Sequence, residues 1–144
     1  MKKSGIYIIA EIGSVHDGSF GNAQKLIELA YLCGADAVKF QTHISDEETL
    51  INAPAPSYFK SENRYDYFVR TSFSLSQLRL LVKKAHVHNL DFISSPFSIS
   101  AVKLLKKAKV DGIKIASGEV TNIPMLKEIS KLNVNVYLSS GMSN

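Results

Sequence analysis

Several residues that can bind an anion stand near the ends of short apolar segments of this sequence. Lys39 lies in DAVKFQ and Lys114 in GIKIASGE, and serine hydroxyls occur in the same kind of position at Ser95, Ser117 and Ser139. A lysine supplies a point charge and a serine hydroxyl a directed hydrogen bond, which together suit phosphate and carboxylate groups. The residue types therefore predict a binding site for a compact anion.

Two acidic residues and an amide accompany this set. Glu11 ends the segment IYIIAE, Glu119 ends KIASGE, and Gln41 follows Lys39 by two positions. Carboxylates in such places can orient hydroxyl groups or transfer protons. Phosphoenolpyruvate, with one phosphate and one carboxylate, fits these residue types, and so does a sugar phosphate.

Five short segments are predicted to be the β-strands that position these residues. Most are almost continuously apolar, as strands buried on both faces of a parallel sheet are. They cover residues 6–13, 36–41, 91–96, 112–118 and 134–141.

Amphipathic patterns between the strands predict α-helices at 21–33, 75–88, 99–108 and 123–132. Ser98 and Asn122 stand where they would cap the last two of these helices. Alternating strands and helices predict βαβ units and a parallel sheet, in which ligands bind at the carboxyl ends of the strands. Because all five strands carry polar residues at or near that end, we expect one shared site.

The connection from 42 to 74 is longer than an ordinary loop, which favours a functional role. Ser45 precedes three acidic residues and is expected to cap a short helix. The aromatic residues Tyr65, Tyr67 and Phe68 are expected to form a docking patch for this connection.

Taken one at a time, the polar residues also have structural explanations. Lys114 could form an ion pair with Glu119 or another carboxylate, and Ser95 and Ser139 could cap the helices that follow them. The coincidence of polar residues at all five strand ends is what favours a binding site over these explanations.

The four histidines fall into two groups. His16 and His43 are expected in loops, where a ligand contact and a purely structural role both remain open. His86 and His88 are two positions apart on a helix, point to different sides and are expected on the surface.

Composition narrows the class of protein. The 144 residues are 45% hydrophobic and carry a formal net charge of +4, which is typical of one globular domain. The lysines are spread over helix faces, which argues against a nucleic-acid partner, and no apolar run approaches the roughly 18 residues of a membrane span. The single cysteine, Cys33, lies on an apolar helical stripe and is expected to be a buried thiol, consistent with a cytoplasmic protein.

Longer motifs resemble the N-terminal part of the sialic acid synthase family, which comprises N-acetylneuraminate synthases and their pseudaminic and legionaminic acid relatives. They occur in the family's order and spacing, as IAEIG and HDG within 9–18, GADAVKFQTH at 34–43, FISSPFS at 92–98, KIASGE at 114–119, TNIPML at 121–126 and LSSGMS at 138–143.

The resemblance implies a (β/α)8 barrel of the TIM type and an enzyme. The expected reaction condenses phosphoenolpyruvate with an N-acetylated hexosamine aldehyde, such as N-acetylmannosamine, to a nonulosonic acid with release of phosphate. By this resemblance Glu11 and Glu119 would be catalytic. The substrate-binding residues would be Lys39, Gln41, Asn63, Ser95, Lys114, Ser117 and Ser139, with Asn63 resting on a loose alignment.

The resemblance covers only about the first five strands of such a barrel. The family uses a divalent metal, Mn²⁺ or Mg²⁺, and its histidine ligands lie on later strands that this sequence lacks, as it also lacks the C-terminal antifreeze-like domain. We therefore expect residues 1–144 to be the N-terminal portion of a barrel that is incomplete alone. Such a chain is expected to self-associate or to need a missing C-terminal half.

Two alternatives differ from this interpretation. Another phosphoenolpyruvate-dependent 3-deoxy sugar acid synthase would have a more arginine-rich phosphate site, whereas Arg64, Arg70 and Arg79 are the only arginines and none lies at a strand end. The second alternative is a non-catalytic remnant that still binds the anion. Val15 and Ser140 depart from the asparagine and threonine usual in the family, and they leave the acceptor sugar open.

Overall fold

The computed structural model describes residues 5–54 and 62–141, whose five strands form one parallel sheet. The strands are β1 Ile9–Gly13, β2 Ala37–Thr42, β3 Asp91–Pro96, β4 Gly112–Ile115 and β5 Asn135–Leu138. Their spatial order is the order of the chain, β1-β2-β3-β4-β5. Sequential order is that of a barrel wall, whereas a doubly wound sheet reverses direction part-way. The α/β prediction is confirmed, although β1, β4 and β5 are shorter than predicted.

Helices connect the strands. They are α1 Phe20–Leu32, α2 Ser45–Glu48, α3 Arg64–Thr71, α4 Leu75–Val87, α5 Ile99–Ala108 and α6 Ile123–Ile129. The predicted caps are confirmed, because Ser98 Oγ accepts a hydrogen bond from the Ala101 amide at 3.1 Å and Asn122 Oδ1 accepts one from the Met125 amide at 3.2 Å. Each cap satisfies an amide that the first helical turn leaves without a partner.

The core lies between one face of the sheet and the connecting helices α1, α4, α5 and α6. On β2 the side chains of Val38 and Phe40 are 0% and 1% exposed, and Phe92 of β3 is likewise fully buried. Strand side chains alternate between faces, so Lys39 and Gln41 point to the face away from this core. The sheet thus has an apolar helix-facing side and a polar side, which we call the polar face.

Two predictions need correction, and one helix was not predicted. Cys33 is exposed rather than buried, because it is the C-terminal cap of α1 and lies just beyond the buried helical stripe. Ser45 is the first residue of α2 rather than its cap, and its hydroxyl donates to the Tyr65 carbonyl at 3.1 Å. Helix α3 was not predicted, since its eight residues are mostly polar or aromatic.

Aromatic residues of the long connection contact other residues of the same connection. The Phe68 ring stacks on His43 with ring centroids 3.7 Å apart, and the Tyr65 hydroxyl donates to Asp46 of α2. Phe68 and Tyr65 thus stabilise the connection internally, and docking of the connection by this aromatic patch stays a prediction. The last two residues of the LSSGMS motif, Met142 and Ser143, lie outside the described residues.

Candidate anion-binding site

The register of the sheet aligns the predicted site residues across the polar face. Glu11 pairs with Lys39 between β1 and β2, and Gln41 pairs with Ser95 between β2 and β3. Ser94 pairs with Ile113, which places Ser95 level with Lys114 of β4. Because residues at one level of a parallel sheet point the same way, these five side chains share one face near the carboxyl ends of the strands.

A close ion pair lies at the lower level of this face. Lys39 Nζ is 2.5 Å from Glu11 Oε2, and the side chains are 11% and 56% exposed. The lysine charge is therefore largely removed from water and compensated by one carboxylate, while the other side of that carboxylate stays open. Such a pair can present both a cation and a proton acceptor to a ligand.

The upper level contains two groups without partners. The Ser95 hydroxyl oxygen is buried and forms no hydrogen bond within the described part of the chain. Lys114 is half-buried, and none of the ion pairs among residues 5–54 and 62–141 includes it. A buried hydroxyl without a partner carries a desolvation cost that a bound ligand can relieve. The structural alternatives for Ser95 and Lys114, a helix cap and an ion pair with Glu119, are not realised.

Two further predicted residues meet beside β4 and β5. Ser117 begins a short 3₁₀ turn, Ser117–Glu119, and its hydroxyl lies 2.8 Å from that of Ser139. Glu119 Oε2 accepts a hydrogen bond from Asn122 Nδ2 at 2.8 Å, which fixes the carboxylate at the start of α6. The structure therefore brings Ser117 and Ser139 together and holds Glu119 in the turn between them and α6.

Asn63 occupies a different position. Its Oδ1 accepts from the Asp66 amide at 2.8 Å and its Nδ2 donates to Asp66 Oδ2 at 2.7 Å, so it caps α3. No contact in the described ranges connects Asn63 with the strand ends. A substrate-binding role for Asn63 stays a prediction from the resemblance alone.

A cavity of about 950 Å³ lies at the opposite, amino end of the strands. Tyr7, Asp36 and Asp91 are among its lining residues, and Tyr7 donates to Asp91 Oδ2 at 2.5 Å. None of the predicted site residues lines it. The predicted residues instead lie on the open polar face, so the cavity is separate from the candidate site.

Comparison with known proteins identifies the family. Residues 26–144 match the model of the NeuB family, which is most of the chain. The chain belongs to the NeuB family. It is 39% identical to N,N'-diacetyllegionaminic acid synthase of Campylobacter jejuni over all of its own length and 44% of that protein. It is 32% identical to human N-acetylneuraminate-9-phosphate synthase, covering 96% of this chain and 40% of that one.

Solved structures agree with this assignment. The N-acetylneuraminic acid synthetase of Leptospira borgpetersenii, crystallised in complex with citrate, superposes with a TM-score of 0.80 at 27% identity, over 96% of this chain and 46% of that one. A truncated 3-deoxy-D-arabino-heptulosonate 7-phosphate synthase of Thermotoga maritima superposes with a TM-score of 0.66 at 12% identity. This similarity indicates a shared barrel-type fold and nothing more. This NeuB-family chain spans less than half the length of these relatives.

Two histidines of the NeuB-family chain have roles that the sequence left open. His16 is 1% exposed, its Nδ1 accepts from the Gly18 amide at 3.1 Å, and burial lowers its pKa below the ordinary value. It is therefore a buried loop histidine. His43 is also buried, and its Nδ1 lies 2.9 Å from Glu48 Oε2. The sequence analysis did not predict the His43–Glu48 pair, although the two residues are only five positions apart. Phenylalanine rings from two distant segments stack on the imidazole.

An arginine fixes the loop that follows β1. Arg70 of α3 donates to the Asp17 carbonyl at 2.9 Å and to its carboxylate at 2.8 Å, and it pairs with Glu62 at 2.5 Å. The loop between Glu11 and α1 is thereby tied to the long connection.

The NeuB-family fold was expected to use a divalent metal. Among the residues that the structure describes, no group of three or more His, Cys, Asp and Glu side chains is arranged to hold one. Glu11 is in addition committed to Lys39 at 2.5 Å. The residues present do not by themselves form a metal centre. No helix in the described ranges is long and apolar enough to cross a membrane.

Proposed function

We propose that this chain carries the phosphoenolpyruvate-binding part of a nonulosonic acid synthase. The observation that carries the proposal is the pairing of an uncompensated lysine, Lys114, with the orphaned hydroxyl of Ser95 at one level of the polar face. A cation and a free donor side by side are what a phosphate or carboxylate needs. Membership of the NeuB family supports the choice of reaction.

In the proposed reaction, C3 of phosphoenolpyruvate attacks the aldehyde carbon of an N-acetylated hexosamine. The aldehyde oxygen takes up a proton and becomes a hydroxyl, and water adds at C2. Phosphate then leaves as its own C2–O bond breaks, and the oxygen that came from water becomes the keto oxygen of the product. Lys39, Lys114 and the serine hydroxyls hold the anion, and Glu11 takes the proton of the attacking water. Glu119, oriented by Asn122 at 2.8 Å, holds a hydroxyl of the acceptor sugar. Since the residues present do not form a metal centre, no step here is assigned to a metal.

We further propose that residues 1–144 correspond to the first five strand–helix units of the synthase barrel. The sequential strand order and the 46% coverage of the Leptospira synthetase support this assignment. The arginines support the sialic acid group over more arginine-rich synthases. Arg70 is engaged by Asp17 and Glu62, and Arg79 donates to the Lys107 carbonyl at 3.2 Å.

The test is calorimetric titration of the purified chain with phosphoenolpyruvate. We expect saturable binding that weakens about 10- to 100-fold in Lys114→Ala, the loss of one charge-assisted contact. Lys103→Ala removes an exposed lysine of α5 and is the matched control, expected to bind as the wild type does. Separate titrations with pyruvate and with inorganic phosphate measure how much the carboxylate part and the phosphate part of the ligand each contribute to binding.

Equal effects of Lys114→Ala and Lys103→Ala would indicate non-specific attraction and contradict the proposed site. Absence of phosphoenolpyruvate binding by the folded wild-type chain would contradict the proposal that this chain holds the anion. Retained binding without condensation of an added N-acetylated hexosamine aldehyde would favour the anion-binding remnant.

A further inference from the structure

A buried histidine–glutamate pair stands directly behind Gln41, and no predicted role uses it. His43 follows β2, and Glu48 is the last residue of α2. Both oxygens of Glu48 lie within 3.0 Å of His43 Nδ1, and both side chains are only 6% exposed. Because a carboxylate only accepts hydrogen bonds, it fixes a hydrogen on Nδ1 and sets the orientation of the ring.

The ring is also held from both sides. Phe68 of α3 and Phe97, which follows β3, stack on its two faces with centroid distances of 3.7 and 4.2 Å and interplanar angles of 10° and 11°. In addition, the Ser72 hydroxyl donates to the His43 carbonyl at 3.0 Å. Together with Glu48 of α2, the rings of α3 and of the segment after β3 hold the imidazole from three sides, which leaves it little freedom to rotate.

The held ring directs its other nitrogen toward the polar face. His43 Nε2 lies 3.4 Å from Gln41 Oε1, and the Ser14 hydroxyl donates to the same oxygen at 3.3 Å. The charged imidazolium form of His43, whose charge the buried Glu48 carboxylate compensates, carries a hydrogen on each ring nitrogen and can donate from Nε2 as well as from Nδ1. In that form two donors are directed at the Gln41 oxygen, and the Gln41 amide presents its NH₂ group outward. No described residue accepts a hydrogen bond from that group, and Gln41 is level with Ser95, whose hydroxyl is also unpaired.

A purely structural role accounts poorly for this arrangement. Burying a carboxylate and an imidazole requires desolvating both, and apolar residues of similar volume would pack between two phenylalanines at lower cost. A buried pair that ends at an exposed amide beside an unpaired hydroxyl is more economically explained by the orientation of that amide.

We propose that His43, as an imidazolium paired with Glu48, is a positioning residue that donates to the Gln41 oxygen and orients the amide, so that the NH₂ group of Gln41 serves as a fixed hydrogen-bond donor to the anionic substrate. The inference rests on the proposed function for the identity of the substrate. The orientation itself can be measured without any ligand. Among the contacts that connect Glu48, His43, Ser14 and Gln41, the one between His43 and Gln41 is the longest at 3.4 Å, and the experiment tests this contact.

The first measurement follows the Gln41 side-chain amide by ¹⁵N NMR in the free, full chain. His43→Phe keeps an aromatic ring between Phe68 and Phe97 but cannot donate. Glu48→Gln keeps the volume and removes the charge. We expect the Gln41 amide to be restricted in the wild type and to become mobile in His43→Phe, with an intermediate effect in Glu48→Gln. His86→Phe is the control, because it disrupts a histidine–carboxylate pair with Asp111 in another part of the molecule.

The second measurement is a double-mutant cycle on phosphoenolpyruvate affinity. We expect His43→Phe to weaken binding about 3- to 10-fold in the wild-type background and by less than about 1.5-fold in the Gln41→Ala background. Non-additivity is expected only if His43 acts through Gln41, whereas general loosening of the site would weaken both backgrounds equally.

The outcomes separate the two proposals. An unchanged Gln41 amide in both His43→Phe and Glu48→Gln overturns the positioning role, whatever the affinity does, and so do additive effects in the cycle. If the wild-type chain binds no phosphoenolpyruvate, the proposed function fails, and the amide measurement still decides the role of His43. If His43→Phe does not fold, the same measurement on Glu48→Gln decides it.

Discussion

The neighbouring serines of β3 differ in role because one position along a strand reverses the direction of a side chain. Ser94 points toward the helices, and its hydroxyl lies 2.8 Å from that of Thr42 in a buried pair. Ser95 points to the polar face, and its buried hydroxyl has no hydrogen-bond partner in the described ranges. Chemically identical residues thus have a structural role in one case and an available donor in the other.

This contrast predicts that substitution by alanine affects the free energy of unfolding differently at the two serines. Ser94→Ala leaves the buried Thr42 hydroxyl without its partner and should lower the free energy of unfolding by about 1–2 kcal/mol. Ser95→Ala removes an unpaired hydroxyl and should change it by less than about 0.5 kcal/mol, or raise it, while weakening phosphoenolpyruvate binding. Urea denaturation and calorimetry measure the two quantities. Equal destabilisation by both substitutions would argue against a free hydroxyl at Ser95.

The burial of His16 makes stability depend on pH. Because burial lowers its pKa in the folded state, the unfolded chain binds a proton first as the pH falls through the ordinary histidine value near 6.5. The contribution of His16 is therefore complete above that pH and declines below it. We expect His16→Gln to be clearly less stable than the wild type at pH 7.5.

That stability difference should shrink between pH 6.5 and pH 5. The measurement is urea denaturation of both proteins at several pH values. Comparing the two proteins removes the contribution of the other histidines, which both share. Parallel stability curves across this range would contradict a protonation penalty at His16.

At the scale of elements, the loop after β1 and the long connection stabilise each other. Gly18, with φ of +79°, packs against the backbone of α3, where an added Cβ would lie 2.4 Å from the Arg70 carbonyl oxygen. Arg70 in turn binds Asp17. The loop that carries His16 and the helix that carries Phe68 are therefore fixed by one contact region, although the sequence separates them by about fifty residues.

Gly18→Ala should disrupt this contact. Its cost combines a left-handed backbone, roughly 1–2 kcal/mol, with a steric clash of about 1–3 kcal/mol. Gly34→Ala is a matched control, since Gly34 has φ of +77° but nothing within 4 Å of an added Cβ. We expect Gly34→Ala to lose only the backbone term in thermal or urea unfolding. Equal losses of unfolding free energy in the two variants would show that the contact with Arg70 contributes little to stability.

At the scale of the whole molecule, the sheet has an uncovered side at β5. Val136 and Leu138 pair with Ile113 and Ile115 of β4 and so point to the helix-facing side. The β4 residues are 0% and 5% exposed, but Val136 and Leu138 are 47% and 63% exposed. An exposed apolar edge strand favours pairing with another chain, which agrees with the expectation of self-association.

Sedimentation velocity over a concentration series tests this expectation. We expect the chain to associate with a second copy as concentration rises, and Leu138→Lys to shift the association midpoint upward by about tenfold or more. Val87→Lys is the control, because Val87 is 68% exposed on α4, away from the strand edge. Concentration-independent behaviour of the wild type, or equal effects of both variants, would contradict association through β5.

The sequence by itself determined the elements, since periodicity, caps and turn residues act locally. It located all five strands and five of the six helices in the described ranges, together with the family motifs, and the residue types at the strand ends indicated an anion. Helix α3 was missed, because its polar residues provide no apolar stripe and tertiary packing of Phe68 stabilises it. Cys33 was misplaced for a related reason, since one residue past a helix end the periodicity no longer predicts burial.

Only the tertiary structure decided which polar residues have partners. Strand register placed Glu11 on Lys39, left Ser95 and Lys114 without partners in the described ranges, and brought Ser117 to Ser139. The enclosure of the His43 imidazole likewise depends on rings from α3 and from the segment after β3, which the fold brings to its two faces. A sequence records the donors and acceptors along the chain, but their pairing depends on distances between segments far apart in it, and only the folded sheet determines those distances.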